Sequence, residues 1–105
     1  VSLSAAYAGK ILRVDLSSGT TDTMDTARHA GRFLGGRGVA TAIHWEETPP
    51  DCRFDDEQNR LILAMGPLSG APGGLGGSRW GVYGKSPFPA AAHGGRDHLC
   101  YGNLG

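Results

Sequence analysis

Lys10-Ile-Leu-Arg-Val-Asp-Leu-Ser-Ser-Gly-Thr-Thr-Asp-Thr-Met24 is the stretch on which the fold turns. In an extended chain Leu12, Val14 and Leu16 fall on one side and Ile11, Arg13 and Asp15 on the other, the alternation of a half-buried strand. Ser17-Ser18-Gly19 carries turn chemistry, and the threonines between Thr20 and Met24 suit a returning strand. The spacing predicts a β-hairpin.

Beyond it, Asp25 stands where an N-cap belongs, its carboxylate able to accept a bond from a free helix N–H. Ala27, Ala30 and Leu34 follow at helical spacing, and Gly35-Gly36 stops the helix. A second short helix is expected from Val39 to about Glu47, burying Val39, Ala42 and Ile43, with Trp45 a further candidate; Pro49-Pro50 ends it. Asp51 to Asn59 is a polar surface connection. Leu61-Ile-Leu-Ala-Met65 is a continuous apolar run of strand length, expected to be buried on both faces, and Gly66-Pro67 breaks it. From Arg79 to Lys85 the chain alternates again, Trp80 and Val82 opposing Arg79, Tyr83 and Lys85. The order β-β-α-α-β-β, with further β to follow, is an α+β layout richer in β than in α. It lacks the repeated βαβ rhythm of a Rossmann domain.

With 105 residues the chain has room for one small domain and one modest core. Ten basic and ten acidic residues cancel, so the charge balance calls for neither nucleic acid nor an anionic membrane. The longest apolar run, Leu61 to Met65, falls far short of a membrane span, and Val1 to Ala8 lacks the basic and apolar regions of a signal peptide. Cys52 and Cys100 are too few for a three- or four-ligand metal cage; they could form one disulfide, but a lone pair without a leader more often means two reduced thiols in the cytoplasm. Of the 18 glycines, 12 lie in the last 45 positions, where only Arg79, Lys85, Arg96 and Asp97 are strongly ionised. Such a segment is too glycine-rich for helices and too weakly charged for a solvated coil, so it reads as backbone folded closely around something. With no closing pattern before Gly105, the chain reads as cut, or as completed by a partner.

Two segments are candidate sites. In Phe33-Leu-Gly-Gly-Arg-Gly-Val39, glycines on both sides of Arg37 let the backbone approach a ligand while Arg37 grips an anion; the same residues also serve an ordinary turn between helices with a solvated arginine. In Gly66-Pro-Leu-Ser-Gly-Ala-Pro-Gly-Gly-Leu-Gly-Gly-Ser-Arg79, consecutive amides such as those of Gly76 and Gly77 can form a nest for phosphate, with Arg79 fixed at the start of a strand. The other reading is a surface loop. No Gly-Lys-Ser/Thr closes it, so it is not a P-loop. His29 and His44 sit on the expected helices as packed or surface residues. His98-x-Cys100 with Asp97 offers three metal donors but no fourth at helical or hairpin spacing.

Taken together, these segments resemble the aldehyde ferredoxin oxidoreductase family. The landmarks are Gly9 to Gly19, Phe33 to Gly38, Pro49-Pro50, Asn59 to Ile62, Gly66 to Gly70, Arg79 and Lys85-Ser86-Pro87, in the family's order over roughly residues 7–87. The resemblance implies a single, incomplete N-terminal-like domain over 1–105, the β-rich base on which a tungsten or molybdenum bis-pyranopterin (molybdopterin) sits. It implies oxidation of aldehydes to carboxylic acids with electron transfer to ferredoxin. The [4Fe-4S] iron-sulfur cluster and the acid/base groups would lie in the remainder of the enzyme, in the same chain or in a separate large subunit.

By resemblance Arg79 contacts the pterin. Counted without gaps from Lys85-Ser86-Pro87, Arg96 falls where the family has an asparagine whose backbone carbonyl binds a magnesium between the pterin phosphates. His98 falls on a glycine of that loop. Here the chain departs from the family: Arg96-Asp-His-Leu-Cys-Tyr-Gly102 shares only Tyr101-Gly102 with the usual pattern, and the side chain of His98 stands where close approach needs glycine. A gapped alternative aligns His93-Gly94-Gly95. The second class of function is a non-catalytic, degenerate relative that acts as a cofactor-binding, assembly or structural partner of a larger oxidoreductase.

Overall fold

A computed structural model describes residues 6–74, 77–88 and 94–104 of the chain. Strands β1 (Lys10–Asp15) and β2 (Thr20–Asp25) form the expected antiparallel hairpin, with Lys10 opposite Asp25 and Asp15 opposite Thr20. The turn is built as its chemistry dictates. The Asp15 carboxylate accepts the backbone N–H groups of Ser17 at 2.9 Å and Ser18 at 3.3 Å, and Gly19 takes a φ of 70°. Those N–H groups, Ser18's foremost, hold the Asp15 carboxyl below its ordinary value.

Helix α1 (Ala27–Phe33) and helix α2 (Arg37–Glu47) follow. Strands β3 (Ile62–Ala64), β4 (Trp80–Ser86) and β5 (His98–Leu104) then make a second antiparallel sheet in the order β3-β4-β5. The architecture is α+β: two short helices and two small sheets, with α2 packed against β3 and β4.

The core is made mostly of small and medium-sized residues, with one tyrosine. Ala30, Val39, Ala40, Ala42, Ile43, Cys52 and Tyr83 are buried, and among the described residues no large side chain is wholly enclosed. Four expectations about faces need correction. In β1 the half-buried side is that of Ile11 and Arg13, and Leu12, Val14 and Leu16 are exposed. Arg13 turns inward because its guanidinium pairs with Glu47 of α2, a bond that also raises the Arg13 pKa. In α1 the N-cap is Thr26; Asp25, one residue earlier, still accepts the N–H of Ala27 at 2.9 Å. Its buried residues are His29 and Ala30, while Leu34 lies past the helix end and is exposed. In α2, His44 is buried and Trp45 is 85% exposed. Helical rotation of about 100° per residue puts position 45 across the helix from Ile43 and leaves position 44 beside it. Finally, β3 is an edge strand covered on one face only. Leu61, Leu63 and Met65 lie open, Leu63 being 61% exposed, since none of the described residues covers them.

The connection between α2 and β3 is tied down by three side chains. Lys85 Nζ donates to the carbonyls of Pro49, Pro50 and Cys52 at 3.1, 2.8 and 2.9 Å. Asn59 Oδ1 accepts the Lys85 N–H at 3.0 Å, and Asn59 Nδ2 donates to the Phe54 carbonyl at 2.9 Å. Asp97, buried ahead of β5, accepts the Phe54 N–H at 2.7 Å and lies 3.4 Å from Arg53 Nε.

His44 sits under this connection, 3.5 Å from Asn59 Oδ1. Burial pushes its pKa down; the nearby positive charges of Lys85 and Arg60 act the same way, and the Asn59 bond opposes them. A base whose folded pKa is depressed favours folding while neutral, and that stability is lost as pH falls from the ordinary histidine value of 6.5 toward the lower folded one. The chain is therefore expected to melt at lower temperature at pH 5 than at pH 7.5, and His44→Gln should reduce the difference. An identical pH dependence of melting in the variant would remove His44 as its source.

Candidate functional site

The turn between the helices is tighter than sequence alone foretells. Leu34 takes φ 62° and ψ −56°, and the Gly35 N–H donates back to the Phe33 carbonyl at 2.7 Å, a three-residue γ-turn of the strained hand. Gly36 follows with φ 53°, and α2 begins at Arg37. The turn presses on the second glycine segment: a Cβ on Gly35 would come within 2.9 Å of Pro67 Cδ, and one on Gly36 within 3.6 Å of the Gly66 nitrogen. A Cβ on Gly38 would meet the Phe33 carbonyl oxygen at 2.6 Å. The glycines flanking Arg37 thus serve close backbone packing, which seats the first turn of α2 against Gly66-Pro67.

That contact opens a cleft of about 180 Å³ lined by Gly36, Arg37, Met65, Gly66, Arg79 and Gly81, among others. Arg37 enters it from the start of α2 and Arg79 from the residue before β4. The Arg37 guanidinium lies 3.9 Å from the centre of the Tyr101 ring, and Tyr101 stacks on Tyr83 at 5.9 Å between centres and 25° between planes. Tyr83 is buried, and a Cβ on Gly81 would fall 2.4 Å from its hydroxyl. Among the described residues neither Arg37 nor Arg79 has a carboxylate partner. Two arginines lining one cleft, with no carboxylate partner among the described residues, beside the uncapped N-terminus of α2, are suited to an anionic ligand.

Of the residues singled out in the sequence, the structure brings Arg37 and Arg79 together. Gly77 lies outside the cleft: its carbonyl accepts the Gly70 N–H at 3.0 Å and closes the neck of the glycine-rich loop. Gly76 and His93 lie outside the described residues. Arg96 is exposed in the connection before β5, and His98 pairs with Ser86 while Trp80 pairs with Leu104. Six residues of strand, roughly 20 Å at the usual rise, separate His98 from the Arg79 end of β4. Neither Arg96 nor His98 lines the cleft. Asp97 is engaged with Phe54 and Arg53, and among the described residues no group of three histidine, cysteine or acidic side chains could hold a metal. Sequence reasoning missed Tyr101. Its only local signal is an aromatic at the end of a glycine-poor run, and its partners depend on the register of β5 against β4.

A small α+β unit with an open basic cleft is the class of domain these features define. The family profile for the N-terminal domain of aldehyde ferredoxin oxidoreductase matches residues 11–96, and the chain belongs to that family. It is 40% identical over 83 residues to the tungsten-containing aldehyde ferredoxin oxidoreductase of Pyrococcus horikoshii, covering 78% of this chain and 14% of that protein. It is 35% identical over 86 residues to the WOR-like subunit of an aliphatic sulfonate oxidoreductase from Pyrococcus furiosus, covering 78% of this chain and 13% of that protein. Among solved structures it resembles the active site complex BamBC of benzoyl coenzyme A reductase in complex with 1,5-dienoyl-CoA. There the TM-score is 0.79 and the identity 30%, over 93% of this chain and 14% of that one. The chain therefore spans about one seventh of the relatives it matches.

Proposed function

We propose that this chain is the cofactor-facing N-terminal portion, or a small subunit, of a tungsten or molybdenum oxidoreductase, and that Arg37 and Arg79 hold the anionic end of its pyranopterin. The observation that carries this reading is the pair of arginines lining one cleft with no carboxylate partner among the described residues. The cleft fits such a group: glycine backbone on two sides leaves room for close approach, and the positive charge is uncompensated. When bound, the metal-pterin supplies two-electron oxidation of an aldehyde to a carboxylic acid, with ferredoxin as acceptor. This chain's contribution is to bind and orient. Arg79, fixed by the first residue of β4, and Arg37, fixed by the first turn of α2, offer planar forks to phosphate oxygens.

The [4Fe-4S] cluster, which takes four thiolates, is assigned to the rest of the enzyme, as are the acid/base groups. Two unpaired thiols, Cys52 and Cys100, support a reducing cytoplasmic setting. The open row of Leu61, Leu63 and Met65 supports a larger assembly, because contiguous exposed aliphatic side chains mark a surface that another part of the protein covers. The reading as a degenerate, non-catalytic partner draws on Arg96 and His98. They occupy the positions matched to the magnesium loop, yet lie outside the cleft.

The test is Arg79→Ala in the assembled oxidoreductase. One bond to a charged group is worth on the order of 1.5–3 kcal/mol, so pterin and metal content per protein after gel filtration should fall about tenfold or more. Circular dichroism should be unchanged, since Arg79 is exposed. Arg79→Lys should recover part of the loss. Parent-level cofactor in the alanine variant would remove Arg79 from the site.

A further inference from the structure

We propose that Tyr101, braced from behind by Tyr83, is a positioning residue that holds the guanidinium of the cleft-lining Arg37 in place. The proposal takes its purpose from the anion-binding reading of that cleft and goes beyond it in naming what orders the ligand-binding side chain. An arginine side chain has many rotamers, and ordering it on binding costs affinity. A carboxylate partner would order it too, but would occupy its N–H donors and neutralise its charge.

An aromatic face does neither. The Arg37 guanidinium carbon lies over the face of the Tyr101 ring, 3.9 Å from its centroid, and a cation held on a ring face keeps its N–H donors for an anion. The ring is itself held. Tyr101 and Tyr83 are direct cross-strand partners in the β4–β5 register, which places their side chains on one face and produces the stack at 5.9 Å. Tyr83 is buried over Gly81, where a Cβ would leave no room for its ring. Gly81 and Tyr83, both in the cleft lining, thus back Tyr101, and Tyr101 in turn backs Arg37. Tyr101 itself is half exposed, so its ring can be exchanged without opening the core.

The test uses the 105-residue chain and inorganic pyrophosphate as the anion. Two quantities are read: the ring-current displacement of the Arg37 side-chain proton resonances without anion, and pyrophosphate affinity by calorimetry. Tyr101→Phe keeps the ring and should keep both. Tyr101→Leu should abolish the ring-current displacement and weaken pyrophosphate about threefold, the scale of an exposed cation–π contact. In an Arg37→Ala background the same exchange should change nothing further. Tyr101→Thr, which suits a strand, repeats the measurement should the leucine variant fail to melt cooperatively. Unaltered Arg37 resonances in Tyr101→Leu overturn the proposal, as does a full Tyr101→Leu effect in the Arg37→Ala background. If Arg37→Ala and Arg79→Ala both bind pyrophosphate like the parent while the ring-current displacement still depends on Tyr101, the anion reading falls and the positioning of Arg37 stands.

Discussion

Arg37→Ala combined with Arg79→Ala is expected to weaken pyrophosphate binding by this chain on the order of a hundredfold at low ionic strength. Each guanidinium makes a charge-assisted contact whose loss costs about tenfold or more, and both line one cleft of about 180 Å³. Side chains that share a ligand are coupled, so the double variant should lose less than the product of the two single losses. The parent's affinity should fall steeply with added salt and the double variant's hardly at all, because the charges that salt screens have gone. Calorimetry in low and moderate salt measures both. A double variant within threefold of the parent would show that the cleft's charge is incidental and that the glycine segments serve packing alone.

Local chemistry was legible in the sequence mostly where the partner lies nearby in the chain, the N-cap of α1, Thr26 and not Asp25, being an exception. The β1–β2 hairpin follows from alternation and a Ser-Ser-Gly turn, and its register spans only residues 10–25. The glycines around Arg37 read as freeing the backbone to approach a ligand, and the close approach seen is to another stretch of backbone. That the backbone approached is Gly66-Pro67, thirty residues on, could not be read from them.

Which faces are covered was the poorly legible part. A continuous apolar run such as Leu61–Met65 reads as a strand buried on both sides. Whether both sides are covered within this chain depends on sheet order and on what packs above. Here β3 is an edge strand with one open face. Arg13 faced inward for a similar reason: its partner Glu47 is on α2, and a charge at an alternating position looks solvent-facing until its counter-charge is located. The site itself divides along the same line. Arg37 and Arg79 were chosen for the glycines beside them, and the fold unites them. Tyr101 depends on the pairing of β5 with β4, and the distance of Arg96 and His98 from the cleft depends on the same register.

Lys85→Met is expected to destabilise the chain by about 2–3 kcal/mol while leaving pyrophosphate binding intact. Methionine matches the length and apolar stem of lysine, so the exchange isolates the ammonium. That ammonium donates to three carbonyls, those of Pro49, Pro50 and Cys52, all between 2.8 and 3.1 Å. The two prolines have no N–H with which to anchor the segment to a ladder, so the carbonyl side must hold it. Of the three carbonyls, that of Cys52 belongs to a buried residue and would lose its bond with little access to water, whereas Pro50 is exposed and would be rehydrated. This is why the expected cost lies near that of one or two charged bonds rather than three.

Against the roughly 5–15 kcal/mol that stabilises a small domain, such a loss should lower the midpoint of thermal unfolding by roughly 10–20 °C. Lys85→Arg should restore only part, because a planar fork cannot converge on three carbonyl oxygens as a tetrahedral ammonium does. Asn59, which grips the Lys85 backbone through its amide, is untouched by either exchange and keeps β4 in register. Thermal melts followed by circular dichroism read the stability, and calorimetry reads the cleft. A Lys85→Met variant that melts within about 3 °C of the parent would mean that Asn59 and Asp97 suffice to hold the connection. A variant that melts normally but loses pyrophosphate would instead make Lys85 part of the anion site, although it does not line the cleft that Arg37 and Arg79 share.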